Sequence, residues 1–227
     1  MSDHTLSFGV NVCAAVCEAV LHNDGDVDPE LVTDAFDDEL RAEYDRRVGG
    51  LRKALDLIDT CKHASADAAF ALEQDLQTAR DAEGDLFLAG RTRLDRALDA
   101  HGSSMTIAPH EFDRGLMTTY ASPDDHDVET GDTILAAMSH KDTDDGKHMD
   151  VYPLFMGDTG LHCGGPDKNG RDDFPVCKHE LVAMLVLAED LASCEDFDIT
   201  HVDSAYDAVL AHAETVVSEA KQKLAVA

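Results

Sequence analysis

The chain has 227 residues, with 47 Asp and Glu against 18 Lys and Arg and a formal net charge of −29. That length can bury a substantial core, yet with no Trp, 8 Phe and 4 Tyr the core must be built largely from Leu, Val, Ala and Met. The acidity gives no support for contact with nucleic-acid phosphates, which needs Lys and Arg.

The carboxylates are spread along the chain instead of forming one tail, which is the pattern of a folded acidic surface and not of a disordered appendage. Few cations among many carboxylates suggest a salt-rich cytoplasm, as in haloarchaea. Carboxylates retain water and hydrated cations there, and at 1 M salt a Debye length of about 3 Å suppresses their repulsion. In that setting the charge reflects the solvent more than the partner, and the argument against nucleic acid weakens.

The first segment, MSDHTLSFGVNVCAAVCEAVLH, is apolar from Leu6 to Leu21 but is interrupted by Asn11 and Glu18. It has no basic leader region and is too short and broken to span a membrane, so a buried helix over Phe8 to His22 is expected. A cytoplasmic protein with reduced thiols follows, its six Cys serving as thiols or thiolate ligands and not as disulfides. After the turn Asn23-Asp24-Gly25-Asp26, Asp28 caps a second helix with Pro29 at its first position. Its apolar stripe runs Leu31, Val32, Ala35, Phe36, Leu40, Tyr44 and Val48, and continues past Gly49-Gly50 through Leu51, Leu55, Ile58 and Cys61. Ser65 opens a third helix carrying Phe70, Leu72 and Leu76, and a fourth follows Gly84 with Leu86, Leu88, Leu94 and Leu98. Residues 1–104 therefore form a helical bundle of hairpins with short turns.

Residues 105–145 are expected to be an irregular connector. HGSSMTIAPHEFDRG and YASPDDHDVETGD are rich in Gly, Ser, Pro and Asp. Short helices are expected over Phe112 to Tyr120 and over Thr133 to His140, and a polar turn over Lys141 to His148. From Asp150 to Met156 the chain is strand-like, with Pro153 demoting it to an edge strand. Gly157-Asp158-Thr159-Gly160 is a hairpin turn, Leu161 to Cys163 returns, and 164–175 is a loop. A helix follows from Glu180 to Ser193. A terminal helix spans about Val202 to Leu224, with a near-heptad stripe through Tyr206, Val209, Ala213 and Val216. It packs on the body of the protein or pairs with a second copy.

The chemistry gathers in VYPLFMGDTGLHCGGPDKNGRDDFPVCKHELVAMLVL, residues 151–187. Cys177 and His179 are separated by one residue at a helix start, and Cys163 lies across a loop from them. Small zinc modules are built from such ligands. Strand, turn, Cys-bearing return, loop and Cys-x-His opening an apolar helix together resemble the SWIM-type zinc finger, over residues 150–190. The matching residues are Cys177, Lys178 and His179, followed by Leu181, Val182, Ala183, Met184 and Leu185. The family pattern has Cys-x-Cys before the loop, and this chain has only Cys163 there. Either Leu161 stands in place of the first Cys or Gly165 in place of the second. His162, beside Cys163, is a candidate fourth ligand, although adjacent strand residues point to opposite faces. His148, Asp167, Asp172 and Asp173 are the other candidates.

The apolar patterns give a mostly α fold, with the N-terminal bundle and a C-terminal helix at 196–227, and the resemblance, which covers only the finger, adds a small ββα zinc-finger unit at 146–195. It implies a structural Zn²⁺ held by Cys163, Cys177 and His179, with His162 the candidate for the fourth ligand that the family pattern would take from a Cys. It implies an interaction role and not an enzyme, toward a protein partner by preference, with nucleic acid as the second choice. Two alternatives stand beside this. One is an open three-ligand zinc site that hydrolyses a substrate. The other is a metal-free helical interaction protein with a degenerate finger. Cys61-Lys62-His63 repeats the same three letters without a preceding hairpin. With Cys13 and Cys17 it is a weaker second metal candidate, against the reading of these Cys as buried small apolar residues. Cys194 is expected in the core.

Overall fold

The structure is a computed structural model that describes residues 3–61, 65–115, 117, 127–157, 160–165, 174–201 and 204–226. Among these the chain order is α1 (Asp3–His22), α2 (Pro29–Thr60), α3 (Ala66–Asp81), α4 (Glu83–Ala100), β1 (Met105–Glu111), β2 (Thr133–Thr143), β3 (Gly146–Gly157), β4 (Gly160–Cys163), α5 (Lys178–Ala192), a single 3₁₀ turn (Ile199–His201) and α6 (Ala205–Val226).

The N-terminal helices start where the capping residues say they should. The Asp28 carboxylate accepts from Glu30 N–H at 2.9 Å with Pro29 at the first helical position, and Ser65 Oγ accepts from Ala68 N–H at 3.1 Å. Gly49 and Gly50 do not end α2, which runs on to Thr60. Its first half and middle bury Val32, Phe36, Leu40 and Val48, while Leu57 near its end and Phe70 of α3 are exposed. α1 buries Phe8, Val12, Val16, Cys17 and Val20 between α2, α5 and α6. α5 is buried on nearly every side, from His179 through Leu185 and again at Leu187, Ala188 and Leu191, as a helix that is apolar all round must be.

The expected connector and the two-stranded finger are replaced by one antiparallel four-stranded meander in the order β1-β2-β3-β4. Thr133 to His140, expected as a helix, is the buried part of β2. Its Leu135 and Ala137 face the main core, while Ile134 joins Phe112, Met117 and Phe155 on the opposite face. Burial on both faces yields an unbroken apolar run, which carries no period-2 signal and looks helical when Ala and Met are prominent. The HGSSMTIAPHE stretch supplies β1, and Lys141 to His148 lies within the β2–β3 hairpin, with Thr143 paired to Gly146. The described residues just after Phe112 form no helix, and the rest of that expectation, 118–120, lies outside the described residues.

β3 is an interior strand despite Pro153, pairing with β2 on one side and β4 on the other. The Pro153 carbonyl accepts from Gly164 N–H at 2.8 Å. N and C=O of one strand residue point to the same side, so the ring nitrogen faces the very end of β4 and removes no bond to β2. The stretches 1–104, 105–145, 146–195 and 196–227 share one buried cluster that runs from Phe8 through Met105 and Leu154 to Ala213.

Candidate metal centre

Cys163 is the last residue of β4, and the register fixes where it points. Leu135 pairs with Leu154 and Leu154 with Cys163, so these three share the core face of the sheet. Cys177 is the N-cap of α5 in extended conformation, and His179 sits in the first turn. The three side chains are 2%, 0% and 1% exposed. Their ligand atoms lie within 4.8 Å of one another, forming the one such His/Cys/Asp/Glu group among the described residues. His179 Nδ1 is 3.6 Å from Cys163 Sγ and 3.7 Å from Cys177 Sγ. Bonds of about 2.1 Å to nitrogen and 2.3 Å to sulfur at tetrahedral angles give an N···S edge of about 3.6 Å. The spacing therefore fits a tetrahedral zinc ion.

The cluster is braced by a residue that a ligand search passes over. Glu180 is 2% exposed, and its carboxylate accepts from the backbone N–H of Cys163 at 2.9 Å and from that of Cys177 at 2.8 Å. One buried anion thus ties the end of β4 to the start of α5 and sets the two sulfurs relative to each other. The sequence signal was the spacing: a Glu three residues after an N-cap is the reaching-back half of a capping box. Tyr152, on the core face of β3, stacks on the His179 ring with centroids 4.2 Å apart and planes at 30°. Gly165 N–H donates to Cys163 Sγ at 3.2 Å, and a Cβ at Gly165 would lie 2.9 Å from Tyr152 Cδ1 and 3.1 Å from Cys163 Sγ.

The electrostatics separate the two thiols. A hydrogen bond from Cys177 lowers the Cys163 pKa from its ordinary 9.0 to about 6, with His179 adding to the effect against the opposing cost of burial. Burial, and then the Cys163 sulfur itself, push Cys177 up. The two shifts run in opposite directions, which favours a thiolate at Cys163 over one at Cys177. His179 Nε2 is buried without a hydrogen-bond partner. An imidazole kept dry with one nitrogen unsatisfied and the other equidistant from two sulfurs gains little as a packing residue, and this donor set suits a soft-to-borderline cation.

His162 does not join the group. It pairs with Phe155 in the β3–β4 register, on the face opposite Cys163, as strand alternation requires. Leu161 lies on the Cys163 side, but its N–H donates to Tyr206 Oη at 3.2 Å and its side chain packs in the core. Of the two positions that could stand for the absent Cys, Gly165 is the one whose Cβ would abut the Cys163 sulfur. His148 bonds Asp150 at 2.9 Å on an exposed hairpin. Asp167, Asp172 and Asp173 lie outside the described residues, as does His63. Cys13 and Cys17 are buried in α1, with Cys17 Sγ 3.9 Å from Met184 O, while Cys61 is exposed. Cys194 is half-buried and bonds Asp190 O at 3.4 Å, a local helical contact and not a core position.

Comparison of the chain with protein-family models, with curated proteins and with solved structures finds no match in any of the three. Among the described residues no helix is long and apolar enough to cross a membrane.

Proposed function

We propose that this protein is a SWIM-like zinc-binding interaction protein whose metal is structural and held by Cys163, Cys177 and His179. The observation that carries the reading is the pair of His179 Nδ1 to Sγ separations, 3.6 and 3.7 Å, at the tetrahedral edge length for zinc. Near-complete burial of all three ligands favours a structural ion over a catalytic one, which must admit substrate and water. The bound ion would cross-link the last strand of the sheet to the central helix α5. No disulfide links the described cysteines, although Cys163 and Cys177 meet in one cluster, which suits a reducing cytoplasm. The acidic surface suits a salt-rich one. A protein partner, or a second copy of the chain, is supported by the end of α6, where Leu224 is 58% exposed beyond the buried Tyr206, Val209 and Ala213.

The test is elemental analysis of protein purified in the salt it needs to fold. About one zinc per chain is expected. Cys163→Ser, Cys177→Ser and His179→Ala should each lose the metal and lower the unfolding midpoint together. Absence of stoichiometric zinc overturns the reading. An open hydrolytic site has one point in its favour, a described donor set of three, the number a catalytic zinc keeps. It would require zinc-dependent ester or phosphoester hydrolysis that the same three variants abolish.

A further inference from the structure

The β2–β3 hairpin outruns both of its neighbours in the sheet. The β1–β2 register ends at Ser139 and the β3–β4 register at Leu154, yet β2 and β3 stay paired out to Thr143 and Gly146. The Pro153 carbonyl, turned toward β4, accepts from Gly164 N–H. Backbone groups alternate sides along a strand, so Val151, Met149 and Lys147 turn their N–H and C=O to that same side. Among the described residues no strand lies there to receive them. Such a run of open backbone is a template for another strand unless a bulge, a proline or charge guards it. Here the β2–β3 register has no bulge, Pro153 lies back against Gly164, and the one charged side chain of the three, Lys147, sits opposite Asp142. Met149, 46% exposed, stands at the centre of the run.

The edge is complementary to itself. Two copies of it can pair antiparallel about His148, Met149 or Asp150. Centring on Asp150 sets carboxylate against carboxylate and brings the second copy's Gly146 to Leu154, a place that Cys163 already holds. Centring on His148 sets imidazole against imidazole. Centring on Met149 sets Met149 against itself and Lys147 against Val151, and on the other face it sets His148 against Asp150. Those His–Asp pairs fall at the positions without backbone bonds between them, where cross-strand side chains come closest and opposite charge is favoured. Asp150 holds its own His148 on Oδ1, and Lys141 and Tyr152 on Oδ2. A carboxylate has about four acceptor positions, so the opposing imidazole adds a bond without displacing one. On the outer face Met149 and Val151 of both copies, with Met138 across from Val151, make one apolar strip. Pairing over residues 147–151 supplies about six backbone hydrogen bonds.

We propose that the free edge of β3 docks a second copy of this chain, strand against strand and antiparallel about Met149, joining two sheets into one. The proposal does not depend on the zinc reading, and it leaves the end of α6 to other contacts. Each copy carries a charge of −29, so long-range repulsion opposes assembly and salt promotes it. Sedimentation equilibrium of the full chain, at the lowest salt that keeps it folded and at about 2 M, reads the dissociation constant. A dimer that tightens with salt is expected. Met149→Pro removes an N–H that faces the open edge and keeps every bond to β2, a place where strands tolerate proline. It should weaken the dimer about tenfold or more. His148→Asp sets a carboxylate opposite Asp150 and should also weaken it, while Leu224→Ser on α6 should leave it unchanged. Circular dichroism checks that each variant is folded. The register is read by cross-linking with copper–phenanthroline in a Cys61→Ser background. Met149→Cys should cross-link to its own counterpart, with facing Cα atoms about 5.5 Å apart. Lys147→Cys should not, because its counterpart lies roughly 13 Å away along the strand. A monomer at both salts, a dimer that Met149→Pro and His148→Asp leave intact, or equal cross-linking by the two cysteines overturns the proposal.

Discussion

Glu180→Gln is the sharpest perturbation of the proposed metal centre that leaves every candidate ligand in place. The wild-type carboxylate holds two backbone amides, Cys163 N–H at 2.9 Å and Cys177 N–H at 2.8 Å, in a site 2% exposed. Bonds to a charged acceptor contribute about 1.5–3 kcal/mol each. A glutamine retains one neutral acceptor, worth about 1 kcal/mol, and turns an NH₂ toward the other amide, leaving a donor facing a donor. Relief of the buried charge returns part of the loss. The net cost to folding is roughly 2–4 kcal/mol. Because the two amides belong to the two sulfur-bearing residues, zinc affinity should fall about 10–100-fold, the usual penalty for losing an outer-shell partner. Denaturant unfolding of zinc-loaded and zinc-stripped protein, with a chromophoric chelator competing for the metal, reads both quantities. A variant with the wild-type unfolding midpoint and wild-type zinc affinity would refute the bracing role of Glu180.

The zinc-stripped protein should become more stable as pH rises from about 6 to 9. The folded Cys163 pKa of about 6 lies below its ordinary 9.0, so this stabilisation is complete above 9 and is lost as pH falls through 6. Cys177, shifted up, opposes further gain above the ordinary thiol value. Urea midpoints at three pH values check the slope, and a flat or falling series contradicts it. His162→Ala should leave zinc content unchanged, because His162 lies on the opposite sheet face from Cys163; loss of zinc by elemental analysis would show otherwise. Gly160→Ala combines a φ of +110° with a Cβ that would clash with Tyr206 Oη, which accepts from Leu161 N–H. Backbone strain and the lost bond together should cost about 2–4 kcal/mol in equilibrium unfolding, and an unchanged midpoint would disprove the close approach. Gly165→Ala, crowding Tyr152 and Cys163 Sγ, should cost about 1–3 kcal/mol and lower zinc affinity. Equal zinc affinity in a chelator competition would show that this contact is slack.

The helices were written in local terms. Asp28 with Pro29, and Ser65 with the Ala68 amide three residues on, are interactions within one turn, and the apolar stripes of α1, α2 and α6 repeat at the helical period. Each can be seen without knowing what lies opposite. The pairing of Cys177 with His179 and the candidacy of Cys163 were visible for the same reason, since residue type and spacing at a strand end and a helix start are local facts. β1 and β2 were not visible. A strand is stabilised by its neighbours across the sheet, and β2, covered on one face by the main core and on the other by the Phe112–Phe155 cluster, loses the alternation that would have marked it. The sheet register then decided what residue type could not: Cys163 faces α5 beside Leu154, and His162 faces away beside Phe155. Glu180 as a bridge and Tyr152 as a cover act on partners from elements far apart in the chain. Their meaning arises from convergence in space, and no single segment carries it.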